Sequence, residues 1–382
     1  MRREYHAIVV GAGPAGCAAA YDLASAGYSV LLLDRRRFPR VKPCAGALTI
    51  KAVKALRYPI TPVVREVATD FAAGRGLDEV NVLHGSRPIC VLTVRSEFDF
   101  YCLQRTIEAG TEFRAVSDWK TIEQSPSSLS ISTSDGIFQA QFLVGADGAN
   151  SQVRRVCPDS RWGFSGFAIE VDCAYPNSKV NLEFDFGVVD GGYGWLFPKR
   201  DHVNVGLFTY KPGRALSRVA LETYRRQKLG TPVIGPVRGH NIGLGGFAYQ
   251  PSGRVLLAGD AAGFVDALLG EGISNALRSG QAAAAAIRDE LERGSSAAAQ
   301  YAWRLAEIQS DVAACYRAAV KFYDNLDVGY SALISPVIRW AAMKGYALGL
   351  TFSETKKRFL LLPLVPVREA GALTVSRPGG RP

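Results

Sequence analysis

The chain opens with a short apolar run, HAIVV at 6–10, which gives way at once to the glycine turn GAGPAG and then to CAAAYDLASAG. YSVLLLD at 28–34 follows as a second strand. Continuous apolar runs of this length, bounded by turn residues, suit a parallel sheet covered on both faces. RPICVLTV and the helical SEFDFYCLQRTIEAG repeat the alternation, and short strands then come in pairs up to QFLVGADG at 141–148. From 167 to 210 the period changes to two. In KVNLEFDF, Val180, Leu182, Phe184 and Phe186 share one face while Asn181, Glu183 and Asp185 share the other, which predicts a half-buried antiparallel strand. HVNVGLFTY is a further strand. RVLLAGDAAG then restores the parallel-sheet pattern ahead of an alanine-rich helix through Ile287. Beyond residue 300 the chain reads as helical and apolar, with WRLAEIQSDVAACYRAAVKFY and ALISPVIRWAAMKGYALGL.

GAGPAG places Gly11, Gly13 and Gly16 at dinucleotide-fingerprint spacing between a strand and a helix, with Pro14 and Ala15 at the helix start. Gly11 permits the tight turn, Gly13 lets the backbone approach a pyrophosphate, and Gly16 lets helix and strand pack closely. The helix N-terminus offers free N–H groups to phosphate. Asp34, followed by Arg35, ends the second strand where an acid accepts ribose hydroxyls. This fingerprint serves NAD and FAD alike. The segment AGDAAGFVDALLGEGISNAL points to FAD. Gly259–Asp260 ends a buried strand, and the Asp260 carboxylate suits ribityl hydroxyls. A helix starting at Gly272–Ile273 can aim N–H groups at the pyrimidine edge of a reduced flavin.

The resulting expectation is an α/β chain whose Rossmann-like FAD-binding domain is discontinuous, assembled from 1–60, 96–160 and 251–295. Substrate-domain strands occupy 61–95, an inserted antiparallel-sheet substrate domain occupies 161–250, and a C-terminal helical region runs over 296–382. No apolar run reaches the roughly 20 residues of a membrane-spanning helix. FLLLPLVPV is short and carries two prolines, and SRPGGRP is expected to fray.

Composition narrows the function. The 382 residues are 48% hydrophobic and 21% charged, as in a soluble globular protein. Seven cysteines without CxxC pairing indicate neither a metal site nor a disulfide framework. A strand so near the first residue leaves no room for a secretory signal, and a reducing cytoplasm fits best. The net charge of +10 is scattered, with clusters at 35–37, 225–226 and 356–358. Nucleic acid would require a dense basic stripe interleaved with aromatics, and none is present. Phosphate-bearing cofactors, an anionic membrane surface or a merely solvated basic surface account for the charge.

With both cofactor motifs in view, the chain resembles the geranylgeranyl reductase family, within the flavoprotein superfamily of aromatic hydroxylases. Besides GAGPAG and AGDAAG, the resemblance rests on RSEFD, GADGANSQVRR, KPCAGAL and GGYGWLFPK. KPCAGAL is similar to the reductases' loop beside the isoalloxazine, with Ala45 where they usually carry glycine. GGYGWLFPK matches their YxWxFPK, with Asp190 where a proline often precedes it. The resemblance implies FAD contacts from Ala15, Asp34, Cys44, Ala45, Ala47, Arg95, Asp260, Gly272 and Ile273. It places Asp147 in the second phosphate-side motif and Trp119 near adenine.

Family reductases saturate isolated double bonds of prenyl chains, which accept hydride only if a proton reaches the other carbon. Cys44 is the candidate for that proton path, since a thiol with an ordinary pKa near ~8.5 stays protonated at neutral pH. Tyr193, Trp195 and Phe197 alternate and form a candidate apolar wall for an isoprenoid tail, with Lys199 at the strand end to hold an anionic head. Lys344, Lys356, Lys357 and Arg358 among apolar helical residues suggest a peripheral lip on anionic lipid. Three other readings share the motifs: a flavin monooxygenase or halogenase, a redox-neutral isoprenoid cyclase, and a non-catalytic flavin carrier. No second fingerprint opens a separate nucleotide domain, so the electron donor, NAD(P)H or a small redox protein, is expected to bind transiently.

Overall fold

A computed structural model describes residues 4–361 apart from 78, 118, 126–127, 158–162, 212 and 214–215. The SRPGGRP tail and the prolines of FLLLPLVPV lie outside the described residues. Strand Glu4–Val10 sits at the centre of a seven-stranded sheet, between Val30–Asp34 and Gly136–Gly145, parallel to both. The first half of Gly136–Gly145 turns back onto Leu129–Thr133, whereas its last residues pair in parallel with Val255–Leu257. A segment more than a hundred residues later thus returns to the sheet that the N-terminus began. Leu31, Leu32 and Leu33 are fully buried within it, as an unbroken apolar run in a two-sided sheet demands.

Helices Pro14–Ser25 and Ile273–Arg293 cover one face of this sheet and cross at very close range. A Cβ on Gly280 would stand 2.2 Å from the Ala15 carbonyl oxygen, so only glycine permits the approach. RPICVLTV is not part of this layer. Its strand Cys90–Thr93 lies between Ala47–Thr49 and Val64–Ala68 in a small separate sheet.

The second large sheet runs in the order Arg238–Leu244, Phe164–Ala174, His202–Thr209, Gly192–Pro198, Glu183–Phe186, Phe71–Arg75, Glu79–Leu83. The strand read in KVNLEFDF is shorter than expected, and it is mixed rather than purely antiparallel. It begins at Glu183 and runs parallel to Phe71–Arg75. Its polar side is not outward either. Asp185 is fully buried, with Lys228 Nζ at 3.0 Å and the Tyr224 hydroxyl donating at 2.6 Å, and Glu183 pairs with the same lysine. The reason is helix Arg218–Lys228, which packs over that face through Leu221 and Tyr224 and brings its own cation.

Helices Ala297–Asp324, Leu326–Ile334, Pro336–Leu348 and Phe352–Lys356 follow, and several of them close over the opposite, aromatic face. ALISPVIRWAAMKGYALGL breaks at Ser335, because Pro336 has no N–H to continue the helix and restarts it at its first position. Among the described residues no helix is long and apolar enough to cross a membrane.

Candidate active site

The glycine elbow is built by close approach. Gly11 adopts φ 103° and donates to the Leu33 carbonyl at 2.7 Å, while a Cβ on Gly16 would lie 1.8 Å from the Gly11 carbonyl oxygen. Gly13 is different. Its missing side chain faces open space, with only Arg40 Nη2 within 4 Å, at 3.7 Å. The N-cap of helix Pro14–Ser25 has no side-chain hydrogen bond, so its first N–H groups remain available at that opening. Asp34 accepts the Ala12 and Arg36 N–H groups, both at 2.8 Å, and fixes the elbow to the second strand. Arg35 lies over the Trp119 ring at 5.4 Å, and the Trp119 indole N–H is buried without a partner.

Arg95 is buried and forms a bidentate pair with Asp99, both bonds 2.9 Å, and Arg40 reaches the same carboxylate at 3.1 Å. Arg40 also stands 3.9 Å from the Asp34 carboxylate, so two guanidinium groups and two carboxylates are interleaved beside the elbow. Asp147 is spent locally. Its carboxylate takes the Ser151 hydroxyl and the Gln152 and Val153 N–H groups, and its main chain backs the Gly11 turn. Gly259, at φ 60°, brings the end of strand Val255–Leu257 against Ala15. Asp260 follows and turns its carboxylate to the same cleft, with no protein hydrogen bond to it among the described residues. Gly272 and Ile273 line the cleft as well, but the Ser274 N–H is already taken by Glu271, itself paired with Lys51 at 2.9 Å.

From this cleft a cavity of about 700 Å³ runs past the loop at 42–47 and between the aromatic sheet face and the C-terminal helices. Cys44, Ala45 and Ala47 line it at the cleft end. The loop is pinned from behind: Thr93 donates twice to the Gly46 carbonyl, at 2.8 and 3.0 Å, and Gly46 N–H points at Cys44 Sγ at 3.4 Å. Tyr193, Trp195 and Phe197 do share one wall, joined by Phe184, Phe186 and Phe208. Phe322 and Tyr346 close it from the helical side.

Lys199 departs from its expected place. It is 2% exposed, and its ammonium donates to the Ala45 carbonyl instead of facing an opening, because the strand end tucks under the loop. Burial lowers its pKa to about 8. Lys321 and Lys356, on helices Ala297–Asp324 and Phe352–Lys356, also line the cavity. Sequence reasoning missed Arg40, and also the pair Lys42–His240, whose Nζ and Nε2 stand 2.7 Å apart at the cavity edge. Burial beside Lys42 lowers the His240 pKa to about 3, so the ring is neutral and accepts from the lysine. Glu170 was missed as well.

The residues present fit FAD. An open glycine cradle with unspent N–H groups stands beside Arg40, and Arg95 and the Asp260 carboxylate, which has no protein hydrogen bond among the described residues, line the adjoining cleft with Pro14. Comparison with known proteins agrees. Residues 4–181 match the FAD binding domain family model. An uncharacterized protein of Methanosarcina barkeri is 32% identical over 92% of both chains. Geranylgeranyl diphosphate reductase of Rhodobacter capsulatus is 31% identical over 77% of this chain and 78% of its own. In fold, a geranylgeranyl bacteriochlorophyll reductase-like protein from Thermoplasma acidophilum superposes with a TM-score of 0.75 at 18% identity, covering 94% of this chain and 98% of that one. A flavin-dependent brominase reaches 0.72 at 17%, over 92% and 94%. Sequence identity across most of both chains carries further than fold alone, and the chain belongs to the geranylgeranyl reductase family of FAD-dependent oxidoreductases.

Proposed function

We propose that this enzyme reduces carbon–carbon double bonds of a prenyl chain, and the observation that carries the proposal is the aromatic cavity leading away from the Cys44 loop. Cavities of several hundred Å³ with apolar walls take largely buried, drug-sized or lipid ligands. Six aromatic rings offer packing without hydrogen-bond demands: the Tyr193 hydroxyl is already given to the Leu269 carbonyl and the Trp195 N–H to Asn204. Such a surface holds a hydrocarbon chain and excludes water from its double bonds.

Gly13, Pro14, Ala15, Arg95 and Asp260 would hold the pyrophosphate and ribityl portions of FAD, with Gly11, Gly16 and Gly259 shaping the cleft. Asp34, Arg35 and Trp119 would lie at the adenosine end, with Asp147 supporting the elbow from behind. Cys44, Ala45, Ala47, Gly272 and Ile273 would frame the ring. When bound and reduced, FAD supplies hydride. Cys44, at the cavity wall, lies on the path that brings the matching proton. NAD(P)H or a small redox protein would reduce the flavin transiently.

The helical side of the cavity suits an anionic head. Lys321 and Lys356 line the cavity, and Val328, Val337, Trp340 and Leu360 are exposed on the helical segments Leu326–Ile334, Pro336–Leu348 and Lys357–Leu361, with Trp340 edge-on to Phe359 at 5.2 Å. With Lys344, Lys357 and Arg358 these residues would form a basic apolar lip at an anionic bilayer. Lipid mass spectrometry of cells with and without the protein tests the reading, with gain of hydrogens on prenyl chains expected. In vitro, Cys44→Ala should keep FAD and lose roughly 10²-fold or more in saturation rate. Substrate in anionic vesicles should be consumed faster than in neutral ones. Full saturation by Cys44→Ala removes the thiol from the path, and equal rates in both vesicles remove the lip.

A further inference from the structure

Glu170 is a carboxyl that the fold buries at the Cys44 end of the cavity, with no salt bridge to it among the described residues. It stands on strand Phe164–Ala174, is 5% exposed and lines the cavity wall. Register fixes its neighbours. Gly206 lies opposite on one side and Arg238 on the other, and Gly206 in turn faces Trp195. A Cβ on Gly206 would come within 2.1 Å of the Trp195 ring, so the indole lies flat across that glycine next to the carboxyl. The Cys44 backbone and the Asn204 side chain lie close enough to the carboxyl to favour its charged form.

The groups facing Glu170 come from every surrounding element. Asp172 stands on its own strand, Arg238 on the neighbouring edge strand, Asn204 on the third, and Lys199 beyond the turn. Arg238 is drawn away to Asp172, with Nη1 and Oδ2 3.5 Å apart. Lys199 is committed to the Ala45 carbonyl. Burial and the Asp172 charge together raise the Glu170 pKa to about 7, with Arg238, the Cys44 N–H and Asn204 opposing. An acid of that strength is matched to proton transfer near neutral pH. Asp172 is 28% exposed at its side chain and contacts His202, itself 15% exposed, at 3.8 Å, so protons from water reach this polar end of the sheet without crossing the aromatic wall.

We propose that Glu170 is the acid that supplies the proton consumed at each reduced double bond, delivered at the Cys44 end of the cavity and replaced from solvent along the Asp172 side. The idea rests on the prenyl-reductase reading. The balance is simple: the π bond breaks, one carbon gains hydride and its electron pair from the reduced flavin, the other gains the Glu170 proton, and the carboxylate is reprotonated by water.

The test is Glu170→Gln, with Glu170→Asp beside it in case the amide fails to fold, read in three ways. FAD content should stay at the wild-type level. Oxidation of reduced enzyme by a prenyl substrate without oxygen should slow by about 10²-fold or more in the amide, and less in the aspartate variant. Wild-type turnover should fall as pH rises through about 7, and Glu170→Gln should lose that limb. Infrared difference spectra of the substrate-free protein should show one carboxyl titrating across the same range, absent from Glu170→Gln. Wild-type rates and pH profile in Glu170→Gln, or no such carboxyl in the spectra, overturn the proposal alone. A wild-type enzyme that saturates no prenyl chain overturns the prenyl-reductase reading, and this proposal with it.

Discussion

Gly16→Ala should yield protein that cannot retain FAD. The added methyl would stand 1.8 Å from the Gly11 carbonyl oxygen and 3.3 Å from a Val9 methyl, and the oxygen belongs to backbone that cannot swing aside. Helix Pro14–Ser25 must therefore lift from strand Glu4–Val10, at an overpacking cost of about 1–3 kcal/mol or more. The same movement takes the helix N–H groups away from the pyrophosphate, so both stability and affinity suffer. Gly13→Ala is the informative control. Its methyl meets only Arg40 Nη2, at 3.7 Å, inside the cradle itself. That variant should melt like wild-type apoprotein and still bind FAD more weakly. Flavin-to-protein absorbance after gel filtration, with melting curves of both apoproteins, separates the two. Stoichiometric FAD in Gly16→Ala with an unchanged melting point would contradict the account of the elbow.

Lys228→Ala should be nearly as damaging, far from the cavity. Its ammonium answers two buried carboxylates, Glu183 and Asp185, on an interior strand of the second sheet. Removing one partner of a buried ionic group typically costs about 3–5 kcal/mol, because charge is left unpaired in a dry site. The pH dependence gives the sign. Burial and the neighbouring Asp185 raise the Glu183 pKa even with Lys228 in place, and loss of the lysine pushes it further up. A carboxyl whose folded pKa lies above its unfolded value stabilises the fold at low pH and loses that contribution as pH rises through the folded pKa. Denaturant melts should therefore show the variant's deficit shrinking as the pH is lowered through the raised Glu183 pKa. A deficit under about 1 kcal/mol at neutral pH, or one that grows on acidification, would show that the pair is solvated.

How much of this was legible depends on distance along the chain. The glycine elbow is local, with turn, helix start and acid all inside residues 11–34, and spacing alone located it. The aromatic wall was legible too, since alternation puts Tyr193, Trp195 and Phe197 on one side whatever lies beyond. What failed depended on partners the sequence does not announce. Glu183 and Asp185 read as outward because nothing near them shows that helix Arg218–Lys228 will cover that side. Lys199 read as a strand-end cation because the tuck under residues 42–47 is a tertiary fact. Glu170 belongs to no motif, and only register against Gly206 and Arg238 reveals which side it faces. The helices that close the cavity were visible as helices but not as its lid.

Anaerobic reaction of the purified, FAD-loaded and chemically reduced enzyme with a prenyl substrate, read by product mass, bears most directly on what the cavity is for. Reduction at the Cys44 end predicts two added hydrogens per double bond, with flavin oxidised in step. An unchanged mass in a cyclised product, or product that forms only with oxygen or halide, would contradict it.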